Sequence, residues 1–427
     1  MKKLLLRLII NMLLHIYKAL SVILAPFLWC IIQYRIFKKK EDPKRYKEKF
    51  GKASLKKDNK VIWFHVASVG EMKALTPILE KFSELDYQLL ITSGTLTSAK
   101  IFETIKIKNI IHQFAPLDSP LFIKKFLNYW QPQLGIFIES EIWPNLIIES
   151  SKRFKLALIN ANMSDKSFQI WSKIPSIAKL IFSKFSYIAA CSLSSHNKLK
   201  LFSNNVAGEI TNLKYYAPPL AYDETLLKHL QTIYADKKVL LCASTHENEE
   251  ELILNIYAII KKEIPDICLI IIPRHPSRGA EVYKLACKIS KDVALKTLQP
   301  KINYSPDIYI IDTLGELGAF YRLAKLVFVG ASLVKLGGHN IIEPAHLNCC
   351  ILTGKHYTNF SDVMQEFKNA EAVIEVQDNQ ELALRIISLF KNESEIERYA
   401  DNAYKLVNKE RGLIDKIYTN LTYLLER

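Results

Sequence analysis

A chain of 427 residues with 49% hydrophobic content is long enough to bury two cores of ordinary domain size. Its seven cysteines, an odd number with no CxxC pair, argue against a disulfide scaffold and a zinc site and point to a reducing, cytoplasmic setting for the bulk of the chain. The net charge of +15 is not a nucleic-acid signature, because residues 1–60 hold 16 Lys/Arg against 4 Asp/Glu while the rest holds 42 against 39.

That basic end comes first. An apolar segment interrupted by Arg7, His15 and Lys18 is followed by a cationic run from Arg35 to Lys60. Its longest uncharged stretch, Ala19 to Tyr34, has 16 residues, short of the roughly 20 that cross a bilayer core. The pattern predicts a membrane anchor over residues 1–37, either a spanning helix from which Lys18 snorkels or a helix lying in the interface. Lys38, Lys39 and Lys40 would face anionic headgroups and favour a cytoplasmic globular part.

Beyond residue 60 short β-branched runs alternate with helical spacing. Strands are predicted at 61–66, 88–92, 134–138, 156–160 and 187–191, then at 238–243, 266–272, 308–311, 326–329, 350–352 and 372–376. Such alternation means parallel sheets covered on both faces by helices, hence an α/β fold with two Rossmann-like domains, 38–219 and 220–427, parted near "KYYAPP". The charged helical tail after Gln380 is expected to pack across the outside. Ligands of such sheets bind beyond the carboxyl ends of the strands, so those loops are where candidate residues are sought.

The first such loop, "HVASVGEMKALTP", has Ser68 and Glu71 at the S-x-x-E spacing of a capping box, in which the glutamate only satisfies a backbone N–H. The alternative is a carboxylate placed at the sheet edge for chemistry. "IFIESEIWPNLI" puts Glu139 and Glu141 at the end of a buried strand, as acid/base machinery or as charge favoured at the helix that Pro144 begins. Polar clusters follow other strands in "LINANMS" and "ASTHENEE", where Ser244 or Thr245 would cap a helix starting near Glu247.

In "IIPRHPSR" Arg274 and His275 follow a strand, and a planar guanidinium suits a phosphate. Glycine is scarce, 13 in all, yet Gly315, Gly318, Gly330, Gly337 and Gly338 fall close together. "VFVGASLVKLGGHNIIEPAH" reads as strand, glycine loop and helix, an arrangement whose free N–H groups favour an anion, and "DTLGELGAFYRLA" repeats it on a smaller scale. Neither is a Walker A loop or a G-x-G-x-x-G fingerprint.

In order, "HVASVGE", "ESEIWPN", "NANMS", "ASTHENEE", "PRHPSR", "LGEL" and "GASLVKLGGHNIIE" resemble the motifs of the 3-deoxy-D-manno-octulosonic acid (Kdo) transferases of lipopolysaccharide synthesis, over nearly the whole chain. The resemblance implies a GT-B fold with two domains facing a central cleft. It implies inverting transfer of Kdo from CMP-Kdo to the lipid A precursor lipid IVA, at the cytoplasmic face of the inner membrane, without metal or other cofactor. Glu71 matches the family's general base, and Glu139 and Lys214 match positions that stabilise the transition state. Pro273 and Arg274, then Leu314, Gly315 and Glu316, then Asn340, Ile341, Ile342 and Glu343 match the segments that hold CMP. Departures stand at Asn162, where the family has arginine, at Thr211 and Tyr216 around Lys214, and at Ala331. A nucleotide-sugar epimerase on the same architecture and a non-catalytic membrane-binding protein are the rival readings.

Overall fold

The computed structural model describes residues 2–103, 105–140, 142–210, 212–216, 218–408 and 412–426. Glu141 and Thr211, singled out above, lie outside the described residues. The chain divides into two compact units, Met1–Ala217 with Arg411–Arg427, and Pro218–Glu410.

Each unit holds one seven-stranded, all-parallel sheet. In the first, β1 (Val61–His65), β2 (Gln88–Ser93), β3 (Ile110–Phe114), β4 (Pro132–Ile138), β5 (Lys155–Ala161), β6 (Phe185–Ala190) and β7 (Val206–Ile210) lie in the order β3-β2-β1-β4-β5-β6-β7. In the second, β8 (Lys238–Thr245), β9 (Ile267–Pro273), β10 (Val293–Leu295), β11 (Ile308–Ile310), β12 (Leu326–Val329), β13 (Cys350–Gly354) and β14 (Ile374–Val376) lie in the order β10-β11-β9-β8-β12-β13-β14. The expected α/β class, with two parallel-sheet domains, is what the chain forms.

The central strands are covered on both faces, so they read as unbroken apolar runs. All five residues of β1 are buried. Trp63 shows the degree of packing. Its ring meets Phe126, Phe137 and Phe154 at centroid distances of 5.1, 5.1 and 6.3 Å, and its indole N–H donates to Thr92 Oγ1 at 2.8 Å. Truncating such a side chain to alanine costs about 3–5 kcal/mol.

In each sheet the strand order reverses once, between β1 and β4 in the first and between β8 and β12 in the second. At such a switch the loops leaving the two strands diverge to opposite faces and open a crevice at the carboxyl edge.

Helices Asn379–Lys391 and Glu393–Asn408 bury Leu382, Ile386, Leu389, Ile396 and Ala400 in the core of the second unit. The last helix, Gly412–Glu426, belongs to the first unit. It buries Ile414, Ile417 and Leu421 in the core shared with helix Val69–Phe82, places Tyr418 5.0 Å from Phe82, and pairs Asp415 with Lys81 at 2.6 Å.

The apolar start forms helices Lys2–Ile23 and Ala25–Phe37, and Met12–Ile23 and Ala25–Phe37 meet at a 53° bend. Pro26, at the start of the second helix, removes a backbone donor just where the bend occurs. Among the described residues no single helix is long and apolar enough to cross a membrane, although the bent pair qualifies by length and composition. Lys18 does not project freely but pairs with Glu149 at 3.4 Å. Tyr17 Oη donates to Asp118 at 2.8 Å, and Asn145 Nδ2 donates to Ser21 Oγ at 3.2 Å. The first helix is therefore docked on the first unit by polar contacts, while Leu20, Ile23, Leu24, Phe27 and Trp29 stay exposed.

Candidate active site

The loop leaving β1 contains the capping box. Ser68 Oγ accepts from Glu71 N–H at 3.2 Å, and Glu71 Oε2 accepts from the N–H of Ala67 at 2.7 Å, one residue earlier than the usual capping partner. Glu71 is buried, and its carboxylate is turned toward its own backbone at the start of helix Val69–Phe82. The contacts show the capping role, and the cap stands beside the switch of the first sheet.

Ala67 also lines a cavity of about 310 Å³ at the carboxyl edge, together with Lys49, His65, Thr95, Asp118 and Trp143. His65 Nδ1 shares a hydrogen bond with Thr92 Oγ1 at 2.9 Å. Complete burial holds the His65 imidazole neutral, with its pKa lowered to about 4.

On the other side of the switch, Glu139 follows β4 with φ +58°, an uncommon conformation for a residue with a side chain. The turn aims its carboxylate at two partners. Oε1 accepts from Asn160 Nδ2 at 3.1 Å and lies 3.0 Å from Lys214 Nζ. Asn160 is itself at φ +53°, and its Oδ1 accepts the N–H of Leu213 at 3.0 Å. That bond holds the turn Leu213–Tyr216, and so Lys214, over the ends of β4 and β5. Asn160 was visible in the sequence only as one residue of a polar cluster. Asn162, at the family's arginine position, has its Oδ1 3.3 Å from Ser195 Oγ.

In the second unit Pro273 ends β9, and Arg274 follows with its N–H bonded to Thr245 O at 2.9 Å. The Arg274 side chain is exposed and makes no hydrogen bond or ion pair among the described residues. Arg278 is by contrast committed to Glu250 at 3.0 Å and Glu281 at 3.1 Å.

Leu314 is exposed, and Gly315 has φ +91° with open space where a Cβ would stand. Glu316 pairs with Lys296 at 3.1 Å and accepts from the Thr313 hydroxyl. Gly315, Glu316, Lys296, His229 and Tyr309 line a cavity of about 440 Å³. Asn340 Oδ1 accepts the N–H of Ile342 at 3.0 Å, Ile341 and Ile342 are buried, and Glu343 lies in the helix that follows.

Two sequence expectations change here. The helix after Gly337-Gly338 is a single turn, Ile342–Ala345, because the chain reverses at Asn348 (φ +57°) to enter β13. It is too short to sum peptide dipoles into an anion site. The nest of N–H groups after β12 is also already filled. Glu249, wholly buried, accepts from Ala331, Ser332 and Leu333 at 2.7, 3.0 and 3.0 Å. Burial pushes the Glu249 pKa up, and these bonds oppose the rise. Neither Ser244 nor Thr245 caps helix Glu249–Glu263. Asn248 stands at the cap with φ +68° and no side-chain bond, because the buried Glu249 already ties the start of the helix to the facing loop.

Three imidazoles gather at the switch of the second sheet. His246 follows β8, His275 follows β9, and His339 lies in the loop after β12. The Nε2 atoms of His246 and His339 are 2.9 Å apart with rings nearly parallel at 13°, and His275 meets His246 edge-on at 5.6 Å. Among the described residues no three His, Cys, Asp or Glu side chains are grouped as one metal ion would require.

A family profile described as 3-Deoxy-D-manno-octulosonic-acid transferase (kdotransferase) matches residues 44–217, and one described as Glycosyl transferases group 1 matches residues 227–406. The 3-deoxy-D-manno-octulosonic acid transferase of Rickettsia bellii (strain RML369-C) is 35% identical over 413 residues, covering 96% of this chain and 99% of its own. The enzyme of the same name from Haemophilus influenzae (strain ATCC 51907 / DSM 11121 / KW20 / Rd) is 30% identical over 428 residues, covering 96% and 98%. Among solved structures, a glycosyltransferase from Rickettsia africae ESF-5 is similar in fold at 14% identity, with 87% of this chain and 100% of that one covered and a TM-score of 0.58. The architecture is GT-B, and by relatives that match it along almost their whole length the chain belongs to the 3-deoxy-D-manno-octulosonic acid transferase family.

Proposed function

We propose that this chain transfers Kdo from CMP-Kdo to lipid IVA with inversion, in lipopolysaccharide synthesis, and that Glu71 is the general base. The observation that carries the reading is that Glu71 follows β1 while the Glu139–Asn160–Lys214 cluster stands at the ends of β4 and β5, so that they lie on the two sides of one sheet switch.

In this mechanism Glu71 takes the proton of an acceptor hydroxyl as its oxygen bonds to the anomeric carbon of Kdo. The bond from that carbon to the CMP phosphate breaks, and CMP departs with the electron pair. Presenting the Glu71 carboxylate to a ligand requires its Oε2 to give up the bond from the Ala67 N–H. Lys214, held by Glu139, supplies positive charge where the transition state gathers negative charge. Arg274, with no internal ion pair among the described residues, is the group we assign to the leaving phosphate, with Gly315–Glu316 and Asn340–Glu343 holding the rest of CMP. Departure then needs no metal.

The acceptor is an amphiphile. We assign the first 37 residues to a membrane surface at the cytoplasmic face, on the strength of their exposed apolar residues and the lysines that follow. The test is incubation of the full chain with CMP-Kdo and lipid IVA in detergent or vesicles, with products weighed by mass spectrometry. A Kdo-containing lipid product is expected, and its absence with donor and acceptor both bound would overturn the reading.

A further inference from the structure

The three imidazoles at the switch of the second sheet belong to none of the segments assigned above to CMP, apart from the adjacency of His275 to Arg274 and of His339 to Asn340. We infer that His246 and His339 form a proton-accepting clamp for the donor's phosphate, mutually hydrogen-bonded when the site is empty and jointly donating to one phosphate oxygen when it is filled. The inference rests on the CMP-Kdo reading of this site.

A contact of 2.9 Å between two Nε2 atoms requires one to carry a proton and the other a lone pair. The accepting ring is therefore neutral, and the surroundings favour the neutral form of the donor as well. Burial lowers the pKa of His246, as do His275, Arg274 and Arg278. Burial, then His246, Arg274 and His275, bring that of His339 to about 4. The carboxylates nearby are already engaged, Glu249 by the backbone N–H groups of 331–333 and Glu247, Glu250 and Glu281 by Arg278, which leaves Arg274 as the cation with no ion pair among the described residues. Without an anion, a proton on either ring is repelled.

A phosphate beside Arg274 reverses that balance, because an opposite charge at close range favours the charged imidazole. Protonation of the accepting ring turns both Nε2 atoms into donors. Two N–H groups cannot face each other at 2.9 Å, so the rings part, and one oxygen between them satisfies both. The site thereby changes from self-satisfied to anion-holding by the uptake of one proton. When CMP leaves, the proton is released and the pair closes again. The step conserves charge, since the proton comes from solvent or buffer and returns there.

The topology explains why these two residues meet. β8 and β12 are neighbours on either side of the reversal, so the loops carrying His246 and His339 leave adjacent strand ends. Gly330 lets the second loop pass close to the first, since a Cβ there would stand 2.6 Å from Ser244 O. His246 lies in "ASTHENEE" and His339 in "GASLVKLGGHNIIE", and the sequence by itself assigns neither imidazole a role.

The experiment is calorimetric titration of the full chain with CMP at pH 7.5, in two buffers of different ionisation enthalpy. A phosphate monoester is almost wholly dianionic at that pH, so the nucleotide contributes little to proton exchange. Uptake of about half to one proton per CMP is expected, with affinity falling by up to tenfold per pH unit between pH 7 and 8. In His246→Asn and His339→Asn, which keep hydrogen-bonding groups but cannot titrate, uptake should vanish and the pH slope flatten, while His275→Asn retains both. CMP binding without proton uptake overturns the clamp and leaves the donor reading standing. Loss of uptake in His275→Asn alone also overturns it. If CMP does not bind at all, both readings fall together. Should a variant not fold, the wild-type titration in the two buffers still decides.

Discussion

Glu139 and Lys214 meet at 3.0 Å because two residues in the left-handed region, Glu139 at φ +58° and Asn160 at φ +53°, turn adjacent strand ends toward one turn of the chain. Such conformations cost of order 1–3 kcal/mol each and persist where the surrounding structure over-determines them. Here the Asn160 side chain bonds both to Glu139 and to the N–H of Leu213. Lys214→Met and Glu139→Gln should each lower kcat by about 100-fold or more with little change in CMP affinity, and the double variant should be no worse than the poorer single one, since the two act as a unit. Steady-state transfer assays on the three variants check this. Additive losses would mean that the pair does not act jointly.

For Glu71 the capping bond and the proposed base make separable predictions. Glu71→Ala removes the acceptor of the Ala67 N–H and should cost about 0.5–2 kcal/mol of stability. Glu71→Gln keeps a carbonyl acceptor and should melt near wild type. Both should lose transfer while CMP still binds. Turnover at the wild-type rate in Glu71→Gln, measured beside its melting temperature, would leave the residue a cap alone.

Glu249→Ala should be more damaging than its position suggests. It leaves the N–H groups of Ala331, Ser332 and Leu333 without their acceptor in a buried loop, at about 1–3 kcal/mol for each group not rescued by water. The same loop continues to His339 and Asn340, so CMP affinity should fall along with stability. Chemical denaturation and CMP titration of this variant test the two effects together, and a stable variant with normal CMP affinity would contradict the structural role.

His65 gives a pH dependence whose sign can be worked out. Its pKa in the folded chain, about 4, lies below the ordinary imidazole value near 6.5, so the unfolded chain binds the extra proton first. Stability from this group is complete above about pH 6.5 and is lost as pH falls toward 4, by roughly 2–3 kcal/mol at pH 4.5. Urea unfolding of the first unit at pH 7.5 and 4.5 should show this loss, and His65→Leu should show a correspondingly smaller one. An equal loss in the variant would assign the acid sensitivity elsewhere.

The basic segment after the proposed anchor also has a measurable consequence. Each lysine near an anionic bilayer contributes about 1 kcal/mol, so replacing Lys38, Lys39 and Lys40 by Gln should weaken binding to vesicles containing anionic lipid by about 100-fold, and less in high salt. Sedimentation with vesicles of defined composition reads this directly, and unchanged partitioning would place membrane affinity wholly in the apolar helices.

How much of this was legible in advance depended on where each element lies. Every strand in the interior of the two sheets was predicted, because burial on both faces writes a continuous apolar run into the sequence. The three strands missed, β3 (IIHQF), β7 (VAGEI) and β10 (VAL), are all sheet edges. An edge strand has a neighbour on one side only, and β3 and β7 carry partly exposed positions, so their runs are weak. Lys214 follows the edge strand β7, and nothing local in "NLKYY" shows that the chain turns there to meet Glu139.

By itself the sequence determined the class of fold, the number of sheets, and the loops in which site residues would be found, since all three follow from periodicity and from the chemistry of strand ends. The capping box at Ser68 and Glu71 was equally local and needed only the chain within four residues of it. Tertiary structure alone decided which residues became partners. It gave Lys214 to Glu139, filled the nest after β12 with Glu249 where an anion had been expected, docked Lys18 on Glu149, and brought His246 and His339 within a hydrogen bond. Those pairings join residues from separate elements at strand ends and helix faces. They depend on strand order and on individual backbone angles, which local composition and spacing do not encode.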